Sequence, residues 1–247
     1  MERQGGDTAD AEKRPPPGPR VGLSVAGQEG GAEHAGRASA PASSPGLAEL
    51  LPGGERVARQ LRFALEVDAL KGVLRQTLLT DASRRENSAE HSWHLALLAV
   101  LLAEHAPEEV SVRRVVRMVL VHDIVEIDAG DAFCYDPAAV DGKEVRERRA
   151  AERIFGLLPA DQAAELKALW QEFEAGESPD ARFANALDRM QPLLHNFATE
   201  GGTWRANGVA HAQVLERMRP IERGAPALWP LVLRILDEAR ERGWVGG

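Results

Sequence analysis

The chain has 247 residues, 44% of them hydrophobic and 28% charged, with a formal net charge of −8. That acidic balance offers no basic stripe to neutralise a nucleic-acid backbone, and the longest apolar run, Leu95 to Ala103, falls short of the ~18 residues of a membrane span, so neither a nucleic-acid polymer nor a membrane is an expected partner. The one cysteine, Cys134, excludes an internal disulfide and a cysteine-based zinc cage, and fits a reducing cytoplasm.

Residues 1–45 are rich in Pro, Gly, Ala and Ser ("PPPGP", "ASAPASSPG") and lack the apolar core of a signal peptide. Such a segment buries too little to offset its ordering entropy. It is expected to be a disordered tail ahead of one domain over 46–247. From Gly54 onward the pattern is helical. "GGERVARQLRFALEVDALKGVL" puts Val57, Leu61, Leu65 and Leu70 on one face. "ENSAEHSWHLALLAVLLAEHA" opens with Asn87 or Ser88 as N-cap and is apolar nearly all round from Leu95, the pattern of a central, enclosed helix. "SVRRVVRMVLVHDIVEI" starts at Ser111 and runs into a cluster of acids, followed by the loop "DAGDAFCYDPAAVDG".

Three more helical segments follow: "KEVRERRAAERIFGLL", "PADQAAELKALWQEFEAG" and "SPDARFANALDRMQPLLHNFA". The last two carry Pro in the first turn, where its missing N–H costs nothing. A glycine-containing break, "TEGGTWRANG", leads to "VAHAQVLERMRP" and a final helix from about Ala225 to Arg242, stopped by Gly243. No alternating strand pattern of useful length and no internal repeat is present. The fold class is all-α, a single helical bundle of about seven to nine helices.

The stretch "MVLVHDIVEIDAGD" carries the chemistry. An apolar helix ends in His122, and Asp123, Glu126, Asp128 and Asp131 crowd the positions after it. Ionised carboxylates on a buried helix end need a neutralising charge. His122 and Glu126 are four apart and share a helix face, and imidazole with carboxylates suits Mn, Fe, Co, Ni or Zn. A lone His-Asp pair is more often a surface dipeptide or a helix cap. Two other segments shift that balance. His91 falls in the first turn of the most apolar helix, with His94 as a competitor and a satisfied core histidine as the bland alternative. Asp188 sits among Ala184, Leu187, Leu193 and Leu194 at helical spacings, with an ion pair to Arg189 as its alternative.

Together, "SAEHSWH", "HDIVEIDAGD" and "ALDRMQPLL" resemble the HD-domain metal-dependent phosphohydrolase superfamily, in the order H…HD…D: His91, His122–Asp123, Asp188. "RRENSAEHS" and the spacing of Glu126 and Asp131 resemble the branch with the YfbR-type 5′-deoxynucleotidases, over roughly Leu70 to Asn196. The resemblance implies a helical domain binding one divalent transition metal (Mn, Co, Fe, Ni or Zn) through His91, His122, Asp123 and Asp188. It implies a small phosphorylated substrate, a nucleotide, with Glu126 activating the attacking water and Asp131 at the substrate. It also permits a homodimer. The phosphate also needs cations, and Arg84 and Arg85, just ahead of His91, are the candidates; Arg84 matches an arginine at the same offset before the motif histidine in those enzymes. They carry an Arg-Trp pair farther upstream, where this chain has Arg75, Gln76 and Thr77, so Arg75 is expected to serve without a tryptophan. The implied activity is a metal-dependent phosphomonoesterase acting on (deoxy)nucleoside 5′-monophosphates. The alternatives are an HD-type phosphodiesterase or alarmone hydrolase, or a catalytically silent metal-stabilised binding protein. Glu172 and Glu174 are expected on a solvated helix face, Cys134 has no base near it in sequence, and the tryptophans are expected in the core or at interfaces.

Overall fold

A computed structural model describes residues 54–107, 109–136, 138 and 141–247; the tail expected over 1–45 and the first residues of the expected domain lie outside the described residues. Along the chain come α1 (Glu55–Val67), a 3-10 turn (Asp68–Gly72), β1 (Leu74–Leu78), β2 (Arg85–Asn87), α2 (Ser88–Leu102), α3 (Val112–Val121), α4 (Glu126–Ala129), α5 (Lys143–Phe155), α6 (Ala160–Ala175), α7 (Pro179–Ala198), α8 (Gly202–Ala206), α9 (His211–Gly224) and α10 (Trp229–Glu241). Among the described residues eight helices have ten residues or more, so the all-α expectation and its helix count hold.

The hairpin β1–β2 was not expected. Its strands pair antiparallel, Leu74 opposite Asn87 and Leu78 opposite Arg85, with an irregularity between them. Strands of five and three residues are too short to display an alternation. The hairpin still matters, because it carries Arg75 and Glu86 toward the middle of the bundle. It is held by Thr203 Oγ1, which donates to Gln76 O (3.1 Å), and by His195 Nδ1–H, which donates to Leu78 O (2.9 Å).

α7 is the centre of the bundle. Ser178 caps it by accepting from Ala181 N (3.1 Å), and Pro179 occupies the first turn. Phe183, Leu187, Met190 and Leu193 are buried along it, while α2, α3, α6 and α9 pack around it. The α7–α9 crossing is close because α9 ends in Gly224: a Cβ there would lie 2.0 Å from the Arg182 carbonyl oxygen and 2.9 Å from the Ala186 Cβ.

Two helices turn the other way from their apolar pattern. In α1, Val57, Leu61 and Leu65 are exposed (47%, 44% and 68%), whereas Leu70 is buried as expected. The neighbouring face docks instead. Arg59 donates to the carbonyls of Leu157 (3.1 Å), Gly156 (3.0 Å) and Leu158 (2.5 Å), groups that the end of α5 leaves without helical partners. Arg56 pairs with Asp161 and Gln60 with Gln162 on the same side. α2 is not enclosed: Leu95, Leu98 and Ala99 are buried, but Trp93, Leu97, Val100 and Leu101 face outward. A helix apolar all round carries no periodicity to say which face is inside.

Gly224→Ala should lower unfolding stability by about 1–3 kcal/mol, because two backbones must separate to admit one methyl group. Gly72, where an added Cβ meets nothing within 4 Å, is the control, and Gly72→Ala should stay within about 0.5 kcal/mol of the parent. Denaturant titrations of both variants check this; equal effects would remove the steric account of the crossing.

Candidate metal centre

Ser111 caps α3, accepting from Arg114 N, and the helix delivers a run of apolar side chains to the core before ending at His122. The chain then tightens, with Glu126 N donating to Asp123 O (2.9 Å), and Gly130 closes α4 by donating to Glu126 O (2.8 Å). Gly130 has φ +75, a left-handed conformation that glycine adopts without strain, and the turn it makes sends Asp131 back toward His122 and Asp123. α2 contributes from the opposite side. Its N-terminus is a capping box, in which Asn87 Oδ1 accepts from Glu90 N (2.9 Å) and Glu90 Oε2 accepts from Asn87 N (3.2 Å). That box holds Ser88 and His91, both fully buried, in the first turn. α7 supplies Asp188.

The hydrogen bonds settle which ring nitrogen of each histidine faces the acids. His122 Nδ1–H donates to Val119 O (2.8 Å), so Nε2 carries the lone pair of the neutral ring. For His91 the sequence begins at the backbone. Leu78 O accepts from His195 Nδ1–H, so His195 Nε2 accepts from Gln191 Nε2 (3.0 Å). Gln191 Nε2 also donates to Glu86 Oε1 (2.5 Å), which leaves Gln191 Oε1 to accept from His91 Nδ1–H (3.1 Å). Both Nε2 atoms then point at carboxylate oxygens: His91 at Asp188 Oδ1 (2.9 Å), His122 at Asp123 Oδ1 (3.0 Å) and, more distantly, Asp188 Oδ1 (3.9 Å). Lone pairs facing lone pairs repel unless a positive charge stands between them. His122 Nε2 is buried with no hydrogen-bond partner, and burial holds its pKa below the ordinary value. Burial and Arg75 oppose protonation of His91 too, yet Asp188 and Glu86 outweigh them and raise it to about 9. The cluster therefore recruits a proton where no other cation is at hand. One ligand atom each from His91, His122 and Asp123 lies within 4.8 Å of the others, and two imidazoles with carboxylates are a donor set for a borderline divalent ion. The residues fit such an ion.

Around this group lies a cavity of about 330 Å³ whose wall carries six carboxylates against four cationic side chains. The excess of acid shows in the titration. Burial, then Asp123, pushes Glu126 well above the usual carboxylate range, with Arg75 and a hydrogen bond from Ser88 Oγ (2.7 Å) acting against the shift. Burial and Asp123 also raise Asp131 against the pull of Arg75. Burial works against ionisation of Asp188, but Arg189, His91 and His122 outweigh it and hold the carboxyl well below its usual range. Arg75 Nη1 donates to Asp123 Oδ2 (2.8 Å) and lies 4.0 Å from Asp131 Oδ1, while its Nε is 3.7 Å from Glu86 Oε2.

Seven of the residues singled out in the sequence thus come together: His122, Asp123, Glu126, Asp131, Asp188 and Arg75 line one cavity, and His91, fully buried, meets Asp188 from behind its wall. Arg84 does not join them. It is half exposed and both its Nη atoms bond Glu90 (2.9 and 2.6 Å), buttressing the capping box of α2. The alternative for Asp188 is also realised, since Arg189 Nη1 bonds its second oxygen. Glu86 and Gln191 carry no mark in the sequence pattern, and Ser88 stands out only as a candidate N-cap, a place that Asn87 takes; the one available signal is that Gln191 follows Asp188 by three residues on the same helical face. Glu174, expected on a solvated face, lies on the cavity wall with Glu147. A second group, Glu86, His94 and His195, also has converging ligand atoms, but the Gln191 amide nitrogen already donates into it.

Comparisons with known proteins agree with this geometry. Residues 67–229 match the family described as HD domain. The human 5′-deoxynucleotidase HDDC2 is 33% identical over 135 residues, 54% of this chain and 65% of that protein, so the chain spans just under two thirds of the human relative. The Xenopus laevis 5′-deoxynucleotidase HDDC2 is 30% identical over 57% of this chain and 69% of its own length. The crystal structure of a predicted metal-dependent phosphohydrolase from Magnetospirillum magnetotacticum MS-1 is 58% identical, with a TM-score of 0.77, covering 80% of this chain and 99% of that one.

Replacing His122 or Asp123 by alanine should strip divalent metal from the purified protein, because the remaining donors no longer enclose a site. Treatment with a chelator should then lower the melting temperature of the parent and leave both variants unmoved. Elemental analysis with a thermal melt checks this, and full metal occupancy in both variants would sink the assignment.

Proposed function

The chain belongs to the HD-domain family, and on that premise we propose that it is a divalent-metal-dependent phosphomonoesterase releasing phosphate from (deoxy)nucleoside 5′-monophosphates. The observation that carries the reading is the pair of Nε2 lone pairs, on His91 and His122, aimed at Asp188 and Asp123. His91, His122, Asp123 and Asp188 would hold the ion, which when bound supplies a Lewis acid for a phosphoryl oxygen and lowers the pKa of water. The similarity to proteins named 5′-deoxynucleotidase supports the substrate class.

The remaining steps belong to the chain's own side chains. Glu126 is surplus to the four donors, and Ser88 Oγ–H fixes one of its oxygens. With its pKa raised by burial and by Asp123, Glu126 is suited to take a proton from the attacking water and return it to the departing 5′-oxygen. Arg75 keeps the acids compatible with one another: burial disfavours its charge, but Asp123, Glu126, Asp131 and Asp188 hold it protonated. Asp131, half-buried on the cavity wall, accepts from a sugar hydroxyl in this reading.

Two finer assignments accompany it. The outward apolar residues of α1 and α2 are matched to a second copy of the chain, giving a homodimer. The lone cysteine supports a cytoplasmic location.

Glu126→Gln should keep parental metal content while kcat falls roughly 10²–10⁴-fold, the usual worth of a general base, with little change in KM. Steady-state kinetics on deoxynucleoside 5′-monophosphates with metal analysis checks this; unchanged turnover, or joint loss of metal and turnover, would remove Glu126 from the role. Light scattering should return a mass of two chains, and Leu61→Glu with Leu65→Glu should return one. A monomeric parent would refute the dimer.

A further inference from the structure

The four cationic side chains of the cavity differ in what they already neutralise. Arg75 faces Asp123, Asp131 and Glu86. Lys143 pairs with Glu147 (3.2 Å). Arg189 gives one Nη to Asp188, while its Nε is buried with no hydrogen-bond partner. Arg217, from α9, has no carboxylate within ion-pair distance among the described residues, although it is half-buried on the cavity wall. Arg189 and Arg217 line the same cavity. Two guanidinium groups in one cavity, one of them unpaired, are an unfavourable arrangement until an anion joins them.

A third donor completes the set. The Tyr135 hydroxyl shares the cavity wall with Trp204 and has an O–H that can donate to an anion. Burial keeps that hydroxyl protonated. Tyr135, Arg189 and Arg217 come from three separate elements and line the same cavity.

We infer that Arg189, Arg217 and Tyr135 form the subsite that binds the phosphate of the substrate, in place of the arginine expected ahead of the motif histidine. The anion is the scissile phosphate rather than a distant group, because Arg189 is bonded to Asp188, one of the proposed metal donors, so an anion held there lies beside the ion site. This rests on the phosphohydrolase reading for its substrate and on the cavity geometry for its residues.

The test uses the full-length, Mn²⁺-loaded protein with inorganic phosphate as the probe, followed by calorimetric titration and thermal melts. Arg217→Gln should keep metal content and, in phosphate-free buffer, a melting temperature equal to or above the parent, since an unpaired charge is gone. Its phosphate affinity should fall on the order of tenfold or more, the worth of a charge-assisted contact, with KM for a phosphomonoester rising in parallel. Arg217→Lys should recover part of the loss, and Tyr135→Phe should show a smaller one. Unchanged phosphate affinity in Arg217→Gln overturns the inference, as does a lower melting temperature without phosphate, which would mark a structural role. An equal loss of affinity for the unphosphorylated nucleoside also overturns it, by assigning Arg217 to the sugar or base. If the parent hydrolyses no phosphomonoester yet binds phosphate through Arg217, the subsite stands and the proposed function falls. If hydrolysis proceeds and phosphate binding ignores Arg217, the reverse holds.

Discussion

Two imidazole nitrogens and the carboxylates of Asp123 and Asp188 are brought together on buried side chains, and that convergence needs a positive charge between them. Much of the architecture serves it. α7 runs through the middle of the bundle and places Asp188 there; α3 stops one residue before His122, so that the histidine and Asp123 fall on a turn rather than on a helical face. The capping box of α2 fixes the first turn that carries His91, and Arg84 strengthens that box from outside.

Orientation is controlled from farther away. A backbone carbonyl on β1 sets the His195 tautomer, His195 sets the Gln191 amide, and Gln191 sets His91. The hairpin thus has two roles, because the same two strands deliver Arg75 and Glu86 to the acids. A ring whose outer nitrogen is already committed keeps the inner lone pair for a cation, which is the usual arrangement behind a metal-binding histidine. The cavity wall carries acids and Arg75 from the His122 turn and β1, and two further cations, Arg189 from α7 and Arg217 from α9.

The parts legible in the sequence are those in which chemistry and periodicity coincide over a short span. His122, Asp123, Glu126 and Asp131 lie within ten consecutive positions at the end of an apolar helix, so their crowding is visible without a fold. Asp188 stood out because its neighbours are apolar at helical spacing. Gln191, Glu86 and Arg217 gave no such signal, since each acquires its meaning from a contact across the fold; Gln191 meets Glu86 from 105 residues away. The faces of α1 and α2 were misread for different reasons. In α1 a polar contact, Arg59 on the open carbonyls of α5, outweighed an apolar stripe. In α2 no stripe existed to orient the helix. Arg84 was placed by its offset from a motif, and offset does not reveal that Glu90 is nearer than the cavity.

The claim on which the account stands is that the cation lies between His91, His122, Asp123 and Asp188. Anomalous diffraction from crystals soaked in Mn²⁺ addresses it directly. The account predicts one peak per chain, about 2.0–2.3 Å from both Nε2 atoms and from an oxygen of each carboxylate. An empty position there, or a peak instead among Glu86, His94 and His195, would contradict it.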